Sequence, residues 1–335
     1  MKILFLDQFS ELGGAQRVLL DTVNASLDRG WEAQAAIPGD GPLVERLQSK
    51  GIRVAKIPCG PYRAGRKGLI DLGRFLHDLR QQIGIIRDLS SSFQFDLLYV
   101  NGPRLLPVAV SSGGRAAVLF HAHSHMPDGL SAKLAQWSIR RTNATVIGCS
   151  NSVLRSLGRP IRPSAYVIRN GVADIPFRPP VFSLDKSWRI GMIGRISPEK
   201  GQAEFVRAAT QVASEFASAR FVVCGAPLFG QERYYEQLRR LAAGLPIEFL
   251  GWRDDVAHVL NELDLLVVAS RQEGMGRIII EAFAAGIPVV AFPAGGIPEL
   301  IADHETGYSG RHQNQTGANT LRFEKCRCVP DGTES

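Results

Sequence analysis

Two glutamates interrupt the stretch "RQEGMGRIIIEAFAAGIPVVAFPAGG" (271–296). Glu281 sits among Ile278, Ile279, Ile280, Ala282, Phe283, Ala284 and Ala285, and Glu273 precedes Gly274, Met275 and Gly276. A helix apolar on all sides is expected to be buried, and a buried carboxylate is costly unless it is hydrogen-bonded or paired. A carboxylate so placed suits a pair of ligand hydroxyls, such as those of a ribose. The competing reading puts Glu281 on the one exposed stripe of its helix. Glu273 leads into a helix N-terminus, where unpaired N–H groups favour an anion or a polyhydroxyl ligand. It would also simply complement the helix dipole.

A second group of residues offers the opposite charge. In "GMIGRISPEKG" (191–201), Arg195 and Lys200 flank a turn that follows a strand. A guanidinium fork with an ammonium beside it suits a diphosphate; two solvated surface cations are the plainer reading. The spacing fits neither a phosphate-binding P-loop nor a dinucleotide fingerprint. Gly13 and Gly14, in "SELGGAQRVLLD", lie between the first strand and a helix, where glycine lets backbone approach a ligand. The same logic applies to "GGIPEL" (295–300). In "FHAHSH", strand alternation would put His121, His123 and His125 on one face, which raises a metal site. Only Asp128 accompanies them, so no metal is expected. One histidine is expected to line the ligand cleft and the others to be loop residues.

These residues need elements to hold them. Runs rich in Val, Ile and Leu alternate with helical stretches along the chain, as in parallel sheets covered by helices on both faces. Strands are expected at "KILFLD", "EAQAAIP", "RVAKIP", "DLLYVN", "AVLFHAH", "ATVIGCS" and "AYVIRN", and then at "WRIGMIG", "ARFVVCG", "IEFLGW", "LDLLVVAS" and "PVVAF". Helices are expected near 14–29, 42–50, 68–89, 130–141, 201–216, 231–243 and 277–286. The proline-rich stretch 172–188 reads as a linker between two doubly wound α/β domains. Ligands of such sheets bind beyond the carboxyl ends of the strands, which places the site in a cleft between the domains.

Composition agrees with a globular chain. The 335 residues are 45% hydrophobic and 21% charged. No apolar run reaches the roughly 18–20 residues of a membrane span, and the N-terminus lacks the features of a signal peptide. Five cysteines, scattered and odd in number, argue against a disulfide framework and for a reducing, cytoplasmic setting. The net charge of +7 suits phosphate groups or a lipid surface and does not indicate nucleic acid. Arg63, Arg66, Lys67, Arg74, Arg80 and Arg87 accompany apolar residues at helical spacing, a pattern compatible with peripheral contact to the inner face of a membrane. An ordinary surface helix reads the same way.

Taken together, the E-x7-E pair Glu273–Glu281, "GRISPEKG", "GGAQ" and "VIRNGV" (167–172) resemble the retaining glycosyltransferase family 4, over residues 1 to 308. The resemblance implies the GT-B architecture, two facing Rossmann-like domains with a cleft between them. It implies an acceptor-side domain over 1–175, a nucleotide-sugar domain over 176–310, and an irregular tail over 311–335. An NDP-sugar would be the donor, UDP or GDP, and a glycan or lipid-linked molecule the acceptor. Glu281 would hold the ribose. Glu273 would sit by the sugar, with Gly274, Met275 and Gly276 supplying backbone contacts. Arg195 and Lys200 would bind the diphosphate and offset leaving-group charge. Gly13 and Gly14 would close over the donor, and His121 would lie near its sugar. "LGWRDDV" (250–256) would approach the base. No metal or other cofactor is implied, and no enzymic nucleophile is evident.

The sequence departs from the family after "TGY" (306–308). The tail matches nothing in the pattern, and about 50–70 residues expected of a second domain are missing. The chain thus reads as truncated at its C-terminus, with an inactive, nucleotide-binding fragment as the competing reading. An NDP-sugar epimerase or a sugar phosphorylase of related fold is a further alternative.

Overall fold

A computed structural model describes residues 1–60, 69–112, 116–126, 129–158, 164–180, 187–228, 230–302 and 308–309, with backbone alone at 69, 112, 308 and 309. The tail 311–335, Asp128, Arg63, Arg66 and Lys67 lie outside the described residues. By internal contacts the chain forms two units. Unit 1 comprises Met1–Gly171 with Glu273–Arg277, and unit 2 comprises Val172–Gln272 with the chain from Ile278 onward.

Every apolar run read as a strand is one, because side chains of this kind must be covered on both faces of a parallel sheet. Unit 1 carries β1 (Lys2–Asp7), β2 (Glu32–Ile37), β3 (Arg53–Lys56), β4 (Leu97–Asn101), β5 (Ala117–Ala122), β6 (Thr145–Gly148) and β7 (Ala165–Val167). They form one sheet in the order β3-β2-β1-β4-β5-β6-β7, parallel throughout. Its helices are α1 (Gly14–Asp28), α2 (Pro42–Gln48), α3 (Leu69–Ser92), α4 (Leu106–Ala109), α5 (Leu130–Thr142) and α6 (Asn151–Ser156). Val18, Leu19, Leu20 and Val23 of α1 are buried, at the spacing of one helical face. Ile3, Phe5, Leu19, Val23, Ile37, Leu43 and Leu47 share one core.

Unit 2 carries β8 (Arg189–Ile193), β9 (Arg220–Cys224), β10 (Ile247–Gly251), β11 (Leu265–Val268), β12 (Val289–Ala291) and β13 (Tyr308–Ser309). Their order is β10-β9-β8-β11-β12-β13, again parallel. The helices are α7 (Gln202–Glu215), α8 (Glu232–Leu241), α9 (Val256–Asn261) and α10 (Arg277–Ala284), of which Arg277 belongs to unit 1. Both sheets reverse direction of strand order at β1 and β8, so the fold is α/β and doubly wound in each unit.

Three expectations are corrected. First, the division falls after Gly171, ahead of the expected 175, and Glu273–Arg277 groups with unit 1. The cause is polar contact: Ser150 Oγ donates to the Gly274 carbonyl (2.6 Å), the Asn170 N–H to Met275 Sδ (3.2 Å), and Arg277 pairs with Asp21 (3.0 Å). Second, the stretch expected as a linker is in part strapped to unit 2. The Arg178 N–H donates to the Ala285 carbonyl (3.0 Å) and its guanidinium to the Leu263 carbonyl (2.6 Å). Third, α10 is not buried on all sides. Ile279 and Ala282 pack with Leu266, Val268 and Val289, whereas Ile278, Ile280, Glu281 and Phe283 are only half-buried. One face meets the sheet, and that is all a helix covering a sheet needs.

Candidate functional site

Within unit 2, the two cations lie on the turn that leaves β8. The turn is built tightly. The Ile196 N–H donates to the Ala226 carbonyl (2.9 Å), and Gln202 Nε2 donates to the Arg195 carbonyl (2.7 Å), tying the start of α7 to the turn. Lys200 is the last residue of a short 3-10 turn, Pro198–Lys200. Gly201 follows with φ +80°, and a Cβ there would stand 2.0 Å from the Ala269 carbonyl oxygen. Only glycine fits, so the loop after β8 and the loop after β11 are pressed together backbone to backbone. The Arg271 N–H, donating to the Glu199 carbonyl (2.8 Å), fastens the same two loops.

Ion pairs complete this frame. Arg195 pairs with Glu199 (2.7 Å). Burial raises the Glu199 carboxyl, but hydrogen bonding and the Arg195 charge outweigh it and hold the group below its ordinary value. Glu204, at 3% exposure, accepts from Arg271 and lies 3.6 Å from Arg207. Neither Glu204 nor Arg271 was singled out from the sequence. An acidic residue in the first turn of a helix is unremarkable until its burial is known. Glu281 is carried by α10, the helix that follows β11, and β11 pairs directly with β8. Arg195, Lys200 and Glu281 thus stand on the loops and helix that follow two neighbouring strands of one sheet. In the "LGWRDDV" stretch, Arg253 donates to both carboxylate oxygens of Asp255 (2.7 and 2.5 Å).

Unit 1 presents a different chemistry. Gly13 caps α1, and its N–H donates to Gln16 Oε1 (3.1 Å). Gln16 Nε2 donates in turn to the two oxygens of Asp7 (3.0 and 3.1 Å), a carboxylate with no exposed surface at the end of β1. Asp7 also accepts from the Phe9 N–H (2.8 Å) and from Asn101 Nδ2 (2.5 Å). Burial pushes the Asp7 carboxyl up to about 7 against the pull of those donors. Asn101 Oδ1 meets His123 Nε2 (2.7 Å). Gly14 is exposed, and a Cβ added there would meet nothing within 4 Å.

The three histidines do not share a strand face. β5 ends at Ala122, so His121 belongs to the strand while His123 and His125 lie beyond it. His121 Nδ1 meets the Tyr99 hydroxyl (2.5 Å), and its ring lies 4.0 Å from that of His123. Burial drives His121 down to about 4 and His123 well below its ordinary value, the latter helped by His121. Both are therefore neutral at physiological pH. His125 donates to or accepts from Ser152 Oγ (2.8 Å); burial lowers it while the charge of Glu273 opposes that shift. Gly274 packs on the His123 carbonyl, where an added Cβ would stand at 2.0 Å, and Gly276 has φ +86°. The Glu273–Gly276 segment and the histidine loop are thereby one structure within unit 1.

Among the described residues, no group of three His, Cys, Asp or Glu side chains is placed to hold a metal ion. Cys59, Cys149 and Cys224 are free thiols, and burial raises Cys59 and Cys224 to about 11, too high for a thiolate nucleophile at neutral pH. Asp7, Gln16, Asn101 and Tyr99 were missed in the sequence. Asp7 and Asn101 end predicted strands, Tyr99 lies within one and Gln16 in a predicted helix, and the contacts that join them span up to 94 residues.

Comparison with known proteins bears on both units. Residues 13–171 match the family model of the glycosyl transferase 4-like domain, and residues 187–319 match that of the glycosyl transferases group 1. The lipopolysaccharide core biosynthesis mannosyltransferase LpcC of Rhizobium leguminosarum bv. viciae is 32% identical over 184 residues, 51% of this chain and 51% of that protein. The sulfoquinovosyl transferase SQD2 of Arabidopsis thaliana is 32% identical over 120 residues, 35% of this chain and 22% of that protein. The match thus spans about half or less of the length of these relatives. The crystal structure of Anabaena HepE in complex with UDP-glucose superposes with a TM-score of 0.74 at 26% identity, covering 92% of this chain and 85% of that one. With two parallel-sheet α/β units, each matched by its own family model, the chain belongs to the family-4 type of glycosyltransferases with the GT-B fold.

Proposed function

We propose that the protein moves a sugar from a nucleoside diphosphate sugar, UDP- or GDP-linked, to a glycan or lipid-linked acceptor with retention of anomeric configuration. One observation carries the reading: Arg195 and Lys200 follow β8, and Glu281 rides on the helix that follows its neighbour β11. A diphosphate next to a ribose needs cations and a carboxylate set apart in this way. HepE, whose fold this chain shares, is seen with UDP-glucose, which supports a donor of that class.

In this proposal Arg195 and Lys200 hold the diphosphate and offset the charge that grows on it as the glycosidic bond breaks. These cations take the part a metal would otherwise play. Glu281 accepts from the ribose hydroxyls. Glu273 and the backbone of Gly274, Met275 and Gly276 bind the sugar, with His121 beside it, and the Gly13–Gly14 turn closes over the donor. The departing phosphate takes the acceptor's proton, so no protein nucleophile is required. Work at the cytoplasmic face of a membrane fits α3, where Ile70, Leu72 and Leu76 are exposed beside Arg74, Arg80 and Arg87. Among the described residues no helix is long and apolar enough to cross a membrane.

The test is donor turnover with UDP- and GDP-sugars, with the product anomer read by NMR. Thermal unfolding should rise with one nucleotide, by about 2.7 kcal/mol at 100 times its dissociation constant, and Glu281→Ala should abolish that rise. Lys200→Ala should lower kcat roughly 100- to 1000-fold. Failure of every nucleotide to shift unfolding would end this reading.

A further inference from the structure

The buried polar chain of unit 1 has a direction. Gly13 presents an N–H to Gln16 Oε1, so the Gln16 amide must turn its NH2 toward Asp7. The Phe9 N–H occupies one carboxylate oxygen, and Asn101 presents its NH2 to the other. Above its pKa of about 7 the Asp7 carboxyl is ionised and only accepts hydrogen bonds, so there each of these neighbours must donate. With its NH2 committed to Asp7, Asn101 has only Oδ1 left for His123. That oxygen accepts, so His123 Nε2 must carry the ring proton and Nδ1 must be a bare lone pair. Nδ1 is shielded from solvent and has no hydrogen-bond partner among the described residues. A buried acceptor left unmatched is costly and calls for an explanation.

Building on the proposed function, we propose that Asp7 is a positioning residue: through Asn101 it holds His123 in the Nε2–H tautomer, so that Nδ1 accepts a hydrogen bond from a substrate hydroxyl, and through Gln16 it fixes the Gly13–Gly14 turn. His123 packs against His121 at 4.0 Å, and its own carbonyl backs Gly274, so the ring stands where the histidine loop and the Glu273–Gly276 segment meet. The hydroxyl would belong to the sugar or to its acceptor. Either supplies the O–H donor that Nδ1 lacks.

Asp7→Asn tests the direction of the chain. An amide at position 7 can donate to Asn101 Oδ1. Asn101 then turns its NH2 to His123 Nε2, and the ring proton moves to Nδ1. The first measurement is the pair of imidazole ¹⁵N shifts of His123 in the full chain, assigned with His123→Gln. Above the Asp7 pKa of about 7, wild type should show a protonated Nε2 and a bare Nδ1, and Asp7→Asn the reverse. Transfer kcat/KM should fall about tenfold or more in Asp7→Asn, the size of one lost hydrogen bond. A wild-type His123 with a bare Nε2 overturns the proposal even if Asp7→Asn does not fold. So does an Asp7→Asn that reverses the tautomer and keeps full kcat/KM. Neither result touches the donor-binding reading, which fails only if wild type binds no nucleotide.

Discussion

The loops that carry candidate function in the two units are held by opposite means. In unit 2 the loops after β8 and β11 are braced by ion pairs, Arg195 with Glu199 and Arg271 with Glu204, and by a backbone contact that only Gly201 permits. In unit 1 the corresponding loops rest on a buried run of amides, one carboxylate and two neutral imidazoles. Charge bracing suits a site for a charged ligand, because cations need an anionic frame to keep them aimed. A neutral, directional network suits hydroxyls, whose recognition depends on which atom carries a proton.

The glycine at the centre of the unit 2 frame should give the largest effect. Gly201→Ala meets both a left-handed backbone and a carbonyl oxygen at 2.0 Å. We expect about 3–5 kcal/mol of lost stability in urea titrations, with nucleotide affinity lost alongside. A wild-type midpoint would mean that the two loops are not packed as described.

The two units should also answer pH in opposite directions. Asp7 binds its proton more tightly when folded, with its carboxyl at about 7 against an ordinary 3.8. Its contribution is complete at low pH and is lost as pH rises from about 4 to about 7, by an order of 2–4 kcal/mol. The carboxyl of Glu199 is lowered instead, so its contribution is present above its ordinary 4.5 and is lost as pH falls through the folded value. Unfolding midpoints from about pH 2 to 8 should lose the first slope in Asp7→Asn and the second in Glu199→Gln. Parallel pH curves for wild type and Asp7→Asn would remove the contrast.

Arg271→Met should cost less, about 1–3 kcal/mol, because Arg271 is half-exposed and Arg207 still faces the stranded Glu204. Adding Glu204→Leu should restore most of that loss, as removing both members of a buried pair usually does. A double variant as unstable as the sum of the two would show that the pair itself does not act as a unit.

Gly14→Ala should change stability least, within about 0.5 kcal/mol, since nothing lies near its missing side chain. Under the proposed function its transfer rate should nevertheless fall. An unaltered rate would take Gly14 out of the donor site while leaving the fold untouched.

How much of this was legible depends on range. The strands announced themselves because the centres of runs such as "LDLLVVAS" and "ARFVVCG" are apolar at consecutive positions, as a parallel sheet covered on both faces requires. The helices α4, α6 and α9 did not, since they are only four to six residues long and show no full apolar period. Glu273 and Glu281 were legible as a pair by spacing. The half-exposure of α10 was not, because local sequence gives a helix's apolar content but not how much of it a sheet will cover.

The sequence by itself determined the alternation of strands and helices, the two-sheet α/β class and the positions of Arg195, Lys200, Glu273 and Glu281, all of which follow from side-chain type and short-range spacing. Only the tertiary structure decided that Asp7 meets Asn101 across 94 residues, that Gly201 lies against Ala269, and that Glu273–Arg277 groups with unit 1. Parallel strands are joined by crossovers, so residues at their carboxyl ends become neighbours through sheet order, and sheet order is set by packing of the whole unit rather than by any local stretch.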